Sequence, residues 1–164
     1  MLRYGLQVAV EAKVLADVNG TSGIQSQTYA TSVLTTLRKG ITKLEVAGYS
    51  PAAFALHPTD FEDVELALSA QNAIEHLGLP YNPANRQLYG VPVVTTNAQA
   101  AGVGHTLATG AVALDTDTRG VDIQWSANAT ADSFSKNLVF ARCERLYATS
   151  VFSPLGVCTL DLTP

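Results

Sequence analysis

The sequence predicts an α+β fold with a long two-stranded β extension in its last third and a helix at its start that begins without a cap. Three observations predict it. From Phe134 the residues alternate for about fifteen positions, with Phe134, Leu138, Phe140, Leu146 and Ala148 on one face and Val139, Ala141, Cys143, Tyr147 and Thr149 on the other. Residues 28–47 place Val33, Leu34, Leu37, Ile41 and Leu44 on a single helical stripe. Residues 1–17 repeat Leu2, Leu6, Ala9 and Lys13, with Val10 and Val14, at helical spacing, and no capping residue stands ahead of them. That first segment looks like the second half of a longer helix.

Each element follows in chain order. The first helix stops before Asn19-Gly20, and residues 19–27 (NGTSGIQSQ) read as a polar, turn-rich connection. The helix over 28–47 ends at Gly48, where a C-terminal cap belongs, and Gly40 inside its stripe signals close packing or a kink. Residues 51–57 (PAAFALH) form a buried strand. Thr59 and Glu62 then have the spacing of a capping box, opening a helix to about Ala70 that buries Phe61, Val64 and Leu68. Residues 71–87, rich in Gly, Pro and Asn, read as a long loop. Strands follow at 88–96, 106–114 and 121–126, separated by Gly/Ala-rich and Asp-rich turns. A strand of about fifteen residues from Phe134 would span about 45–50 Å, against five or six residues for a usual strand. Ser153-Pro154 breaks it, and Leu155, Val157, Thr159 and Asp161 resume an extended segment, expected to pair back antiparallel about the turn at 151–153. An arm of that length reaches out of its own domain, as a part built to touch other chains does.

At 164 residues the chain is one domain of ordinary size with an extension. Hydrophobic residues make up 47% and charged residues 15%, well short of the usual quarter of charged residues. Surface covered by partners accounts for so few charges. The net charge is −4 and the basic residues are scattered, so there is no footprint for nucleic-acid binding through counterion release. Cys143 and Cys158 are too few for a disulfide framework and lack metal-ligand spacing. Buried free thiols in a reducing cytoplasm are the simpler reading, although antiparallel pairing of the two extended segments would bring them near enough to bridge. No leader with a cleavage site and no apolar run of about 18 residues is present, so the sequence calls for no membrane.

Catalytic chemistry is sparse. His57, His76 and His105 have no metal-like or triad-like neighbours. Asp60, Glu62, Asp63 and Glu65 lie in the first turns of a helix, where its dipole favours negative charge. Gly102-Val103-Gly104 lacks the lysine of a phosphate loop, and Asp115, Asp117 and Asp122 lack calcium-loop spacing. The residues call for no cofactor and no metal.

Taken together, LRYGL at residues 2–6, FALHPTDFEDVELA at 54–67, LYGVPVVTTNAQAAG at 88–102 and the closing SFSKNLVFARCERLYATSVFSPLGVCTL resemble the C-terminal part of the tailed-bacteriophage major capsid protein family, the Hong Kong 97-type fold shared with encapsulin shells. The resemblance implies a mixed sheet flanked by helices, with residues 1–22 as the tail of a spine helix in a peripheral domain. It implies an axial domain over 23–130 and long strands over 131–164 returning to the peripheral domain. It also implies that an N-terminal arm, an extended loop and the front of the spine helix belong to the full subunit but not to this sequence. Function follows as expectation: a structural protein, not an enzyme, assembling with itself into pentamers and hexamers of an icosahedral head around DNA, with scaffold, portal or other capsid proteins as further partners. It would be made in the bacterial host cytoplasm and reside in the virion. An encapsulin-type compartment housing a cargo enzyme is the alternative, and an enzyme using the loop at 71–87 as a lid is a third.

Some members of that family crosslink their subunits through an isopeptide bond between a lysine on the extended loop and an asparagine, with a glutamate as base. Asn137 matches the asparagine and Glu144 the glutamate. In one strand, residues seven apart point to opposite faces about 23 Å from each other. Such a site would therefore combine several subunits. The simpler reading is that Asn137 ends a turn and Glu144 pairs with Arg142, Arg145 or a neighbouring chain.

Overall fold

The apolar stripe at 33–44 becomes a helix because a cap precedes it and a bare residue ends it. In the computed structural model, which describes residues 2–70, 81–82, 86–130, 132–133 and 135–164, helix α2 (Val33–Val46) starts where the Ser32 hydroxyl accepts from the Thr35 amide at 3.2 Å. The expected start at Thr28 is thus too early, since Thr31 stands in left-handed backbone at φ 33° and interrupts the chain there. At the other end Gly48 (φ 84°) and Tyr49 return their amides to Glu45 and Leu44, the double closure that a glycine past a helix end permits. Helix α1 (Leu2–Gly20) continues past Asp17, and Thr21 seals it by donating to the Asp17 carbonyl.

Strand β1 (Gln25–Gln27) lies within the stretch read as a turn, and strand β2 (Pro51–Leu56) is where the apolar run placed it. Helix α3 (Pro58–Ala70) follows directly. Its cap differs from the expected box. Pro58 takes the first helical position and the His57 ring accepts from the Thr59 amide at 3.2 Å, so Thr59 is already inside the helix. Phe61 and Val64 are buried, whereas the side chain of Leu68 and residues 71–80 and 83–85 of the expected loop lie outside the described residues. The segment expected as one strand over 88–96 folds back on itself. Strands β3 (Tyr81–Asn82), β4 (Gln87–Leu88) and β5 (Val91–Thr95) are antiparallel neighbours. Tyr89 (φ 54°) and Gly90 (φ 78°) make a two-residue turn between β4 and β5 of the primed kind that suits strand twist.

The segment expected as one strand over 106–114 is also two. Gly110 (φ 72°) turns the chain between β6 (Val103–Ala108) and β7 (Val112–Thr116), and the two strands enter different sheets. Strand β8 (Asp122–Ser126) follows. The fifteen-residue strand from Phe134 is not continuous either. Phe134 itself lies outside the described residues, the chain turns through 135–137, and the extended part divides into β9 (Phe140–Glu144) and β10 (Tyr147–Val151) at Arg145-Leu146. These strands pair with β8 and β7, not with the segment after Pro154. The long two-stranded extension exists with a different partner: 112–126 against 140–151, with extra residues at 117–121 accommodated on one side and the Asp117 amide bonded to the Leu146 carbonyl at the junction. A single 3-10 turn (Pro154–Gly156) then leads into β11 (Val157–Asp161).

Seven strands form the main sheet in the order β1-β11-β6-β2-β5-β4-β3, with β1–β11 and β2–β5 parallel and the other pairs antiparallel. The mixed sheet flanked by helices is therefore observed. Strand β11 is an interior strand, and Val157, Cys158 and Leu160 are fully buried in it. Cys143 lies on β9 and Cys158 on β11, both as free thiols, so the pairing that would have bridged them does not occur. Helix α2 crosses β11 and β6, and Gly40 is the point of closest approach. A Cβ there would stand 2.6 Å from a methyl of Leu160 and 3.0 Å from the Thr106 hydroxyl. The glycine in the stripe thus reflects close packing, with the helix unbroken across it.

Gly40→Ala gains about 1 kcal/mol of helix propensity but forces a methyl against a fully buried leucine. Overpacking of this kind costs about 1–3 kcal/mol, and the substitution is expected to lower the urea midpoint. A midpoint at or above that of the unsubstituted protein would show that α2 can lift from β11.

Candidate functional site

Two regions carry the residues of interest: the β7–β10 and β8–β9 ribbon, and the place where α1 meets the sheet. Along the ribbon the even-numbered side chains of β9 and β10 face outward, with Phe140, Arg142 and Glu144 exposed, while Ala141, Cys143, Tyr147 and Thr149 are half-buried beneath α1. Alternation thus holds locally, as the sequence indicates. On both of its faces, and just beyond it, the ribbon exposes apolar side chains to an unusual degree. Trp125 (68% exposed), Leu146 (70%), Phe152 (67%) and Val139 (62%) stand in water, with Leu114, Leu138, Phe140 and Leu155 also exposed. A few scattered apolar side chains on a surface are ordinary, but a concentration on one projecting element is a mark of contact.

The structure does not bring Asn137 and Glu144 together. Asn137 sits at φ 50° in the turn before β9, where the Leu138 amide bonds back to the Ser133 carbonyl at 2.9 Å. Asparagine tolerates left-handed backbone better than most residues, which is a sufficient structural reason for it there. The earlier placement of both residues on one strand is therefore corrected: Asn137 precedes the strand and Glu144 ends it. Glu144 is exposed and held by Arg142, with Nε to Oε2 at 3.2 Å and Nη2 to Oε1 at 3.3 Å. Its cross-strand neighbour is Asp122, so Arg142 also offsets a like-charge pairing.

Helix α1 lies on β9 and β10 and reaches the sheet through few contacts. Asp17 pairs with Lys13, and that bond holds its carboxyl below the usual range. Glu11 accepts from the Thr96 hydroxyl at 2.8 Å on the rim of a cavity of about 340 Å³ lined also by Tyr4, Gln7, Pro58 and Asn97. Val18 is buried. Asn19, in the last turn, lies 2.8 Å from Nε2 of His105, which is fully buried on β6. His105 Nδ1 is 3.1 Å from Oε1 of Gln99, whose amide nitrogen donates to the Val103 carbonyl at 2.9 Å. Burial pushes the imidazole down to about 4 from its usual 6.5.

Sequence reasoning found no metal-like or triad-like neighbours for His105 and missed its burial and its two partners, which only the register of β6 reveals. It also missed Asp60. That carboxylate is buried and both its oxygens lie 3.0 Å from the Gly102 amide, so it fixes the β5–β6 connection as well as serving the helix dipole. The signal available for the ribbon surface was the uninterrupted Leu138-Val139-Phe140, apolar in both phases of a strand. Among the described residues no three His, Cys, Asp or Glu side chains gather as a metal site, and no helix is long and apolar enough to cross a membrane.

No family model and no curated protein matches the sequence. The fold, however, has counterparts among solved structures. The chain is similar to a virus-like particle subunit from Pyrococcus furiosus, with a TM-score of 0.67 and 13% identity over 94% of this chain and 61% of that one. It is similar too to the holo-SrpI encapsulin complex from Synechococcus elongatus PCC 7942, with a TM-score of 0.61 and 13% identity over 99% of this chain and 66% of that one. The chain spans less than two thirds of the length of either.

His105 makes stability depend on pH. Its folded pKa lies below its unfolded value, so the unfolded chain takes up the proton first. The stability it confers is complete above about pH 6.5 and is lost as pH falls toward about 4, amounting to on the order of 3 kcal/mol. Urea midpoints measured across that window are expected to decline with acid, and His105→Gln to flatten the decline. An unchanged slope in the variant would assign the effect elsewhere.

Proposed function

We propose that the protein is a structural subunit of a closed shell that assembles with copies of itself. The observation that carries this reading is the ribbon: a projecting two-stranded element with large apolar side chains exposed along it, in a chain whose charged residues are only 15% of the total. Burying such side chains against a neighbour contributes about 25 cal/mol per Å² of apolar surface, and repetition around a ring multiplies the gain without any change of substrate. The likeness of fold to two shell subunits supports the same reading.

Within that class, the reading offered is the major capsid subunit of a tailed phage or prophage, forming pentamers and hexamers of a head around DNA, with scaffold or portal proteins as additional partners. A compartment shell enclosing a cargo enzyme is the second reading, favoured by the similarity to the encapsulin complex. The division into a spine-helix tail at 1–22, an axial body at 23–130 and peripheral strands from 131 is likewise a proposal; β11, paired between β1 and β6, is best counted with the body. In the phage reading the acidic balance lets the shell enclose DNA without gripping it. Crosslinking through Asn137, with Glu144 as base, is compatible with a site shared among neighbours, and the role is otherwise architectural and non-catalytic.

The full-length protein is expected to give closed particles by electron microscopy, and particles that contain DNA distinguish a head from a compartment filled with protein. Solely monomeric material across a wide concentration range would overturn the shell reading. Leu146→Asp and Trp125→Asp should each lower the assembled fraction at least tenfold while leaving the melting temperature of the subunit within a few degrees, because both side chains are exposed in the free subunit. Retention of full assembly in both variants would remove the ribbon from the contact. Single subunits released from intact particles on denaturing gels would exclude the crosslink.

A further inference from the structure

The cavity between α1 and the end of β5 holds one charge and no counter-charge. Strands β2 and β5 run parallel, and the cavity lies outside their carboxyl ends, where a sheet of this kind leaves a crevice. The Thr96 amide donates to the Leu56 carbonyl at 3.0 Å, which ties the end of β5 to β2. The Thr96 hydroxyl accepts from the Ala98 amide at 3.1 Å and gives its only hydrogen to Oε2 of Glu11 at 2.8 Å. One carboxylate oxygen is thus fixed, while Oε1 has no hydrogen-bond partner among the described residues. Tyr4, Gln7 and Asn97 also line the cavity, and their side chains make no hydrogen bond to any described residue. Glu11 is the one charged residue of the lining. On the same helix Lys13 is engaged by Asp17, and Arg3 stands two turns from Glu11, about 12 Å along the axis.

We propose that this cavity binds an alkylammonium or guanidinium group against Glu11. An anion would meet a carboxylate with no cation beside it. A divalent metal ion would need several oxygen ligands, and among the described residues no three His, Cys, Asp or Glu side chains gather. An organic cation asks for less. Its N–H groups only donate, and the lining supplies acceptors: Oε1 of Glu11, the amide oxygens of Gln7 and Asn97 and the phenol oxygen of Tyr4. Its alkyl part lies along Val8 and Pro58. A volume of about 340 Å³ is at the small end for a ligand pocket and suits a group the size of a basic side chain. Two sources carry this chemistry. One is a lysine or arginine of a second copy of this chain, in which case the site rests on the shell reading above; the other is a free amine, which does not.

Saturation-transfer NMR of the full-length protein with n-butylammonium, and with butyrate as the control of opposite charge, tests this. Transfer is expected to butylammonium and not to butyrate. It should fall at least fivefold in Glu11→Gln, and equally in Gln7→Lys, which sets an ammonium one helical turn from Glu11. Should Glu11→Gln fail to fold, Gln7→Lys decides alone. Comparing assembled particles with dissociated subunits separates the sources. Transfer in subunits that disappears in particles assigns the cavity to a basic side chain of the neighbouring copy, and equal transfer in both assigns it to a free amine. Transfer to a protein that forms no particles would leave the cation site standing while the shell reading falls. No transfer in either state, equal transfer to butyrate, or undiminished transfer in the folded variants would each overturn the site.

Discussion

The bare Cα of Gly40 against the Leu160 side chain is the contact from which the body is built. It lets α2 descend onto β11 closely enough for Leu37, Ile41 and Leu44 to become fully or almost fully buried. Because β11 lies between β1 and β6, a helix resting on it covers strands brought from widely separated parts of the chain. The parallel β2–α3–β5 unit then extends the same sheet, with Phe54, Leu56 and Val64 completing the core. Packing of this density leaves little freedom in the sheet, which is what a platform for other elements requires.

Body and ribbon solve opposite problems. In the body, several inward polar groups are answered: Asp60 by the Gly102 amide, Gln99 and Asn19 by His105, Thr36 by the backbone of Ala30 and Ser32. In the ribbon the backbone is paired and the side chains are left outward, many of them apolar. A two-stranded ribbon by itself is marginal in water, so its persistence depends on α1 lying along one face and on whatever covers the other. Helix α1 consequently belongs to both parts, with Val18 in the core and the helix also lying against β9 and β10.

What was legible in the sequence was the set of elements whose evidence is local. The stripe from Val33 to Leu44, the glycine cap at Gly48 and the apolar run at 51–56 all carry their own pattern, and each forms where it was expected. The α+β class follows from them. Breaks within apolar stretches were harder to see. Tyr89-Gly90 and Gly110 turn the chain inside runs that read as continuous strands, because a positive φ leaves no trace in hydrophobic alternation. Strand β1, Gln25–Gln27, is wholly polar and exists only because β11 offers it a partner. Partner choice is likewise invisible to periodicity: Ala141 and Cys143 announce a half-buried face but not that Trp125 and Ile123 lie opposite them. For the candidate site, Glu144 and its arginine were foreseeable from spacing, whereas the burial of His105 depends on two strands and a helix end far away in sequence.

The position of β11 also sets an order on the protein's birth. Gln25 pairs with Cys158, so the sheet cannot close until the ribbon, which lies between them in sequence, has already been synthesised. Contacts of such long sequence separation form slowly because loop closure must precede any reward. On the ribosome, therefore, the ribbon with its exposed apolar side chains is made before the sheet of the body can close. Slow translation of the stretch after Ser153, or a chaperone bound to the ribbon during that interval, would govern yield more strongly than the stability of the finished subunit does.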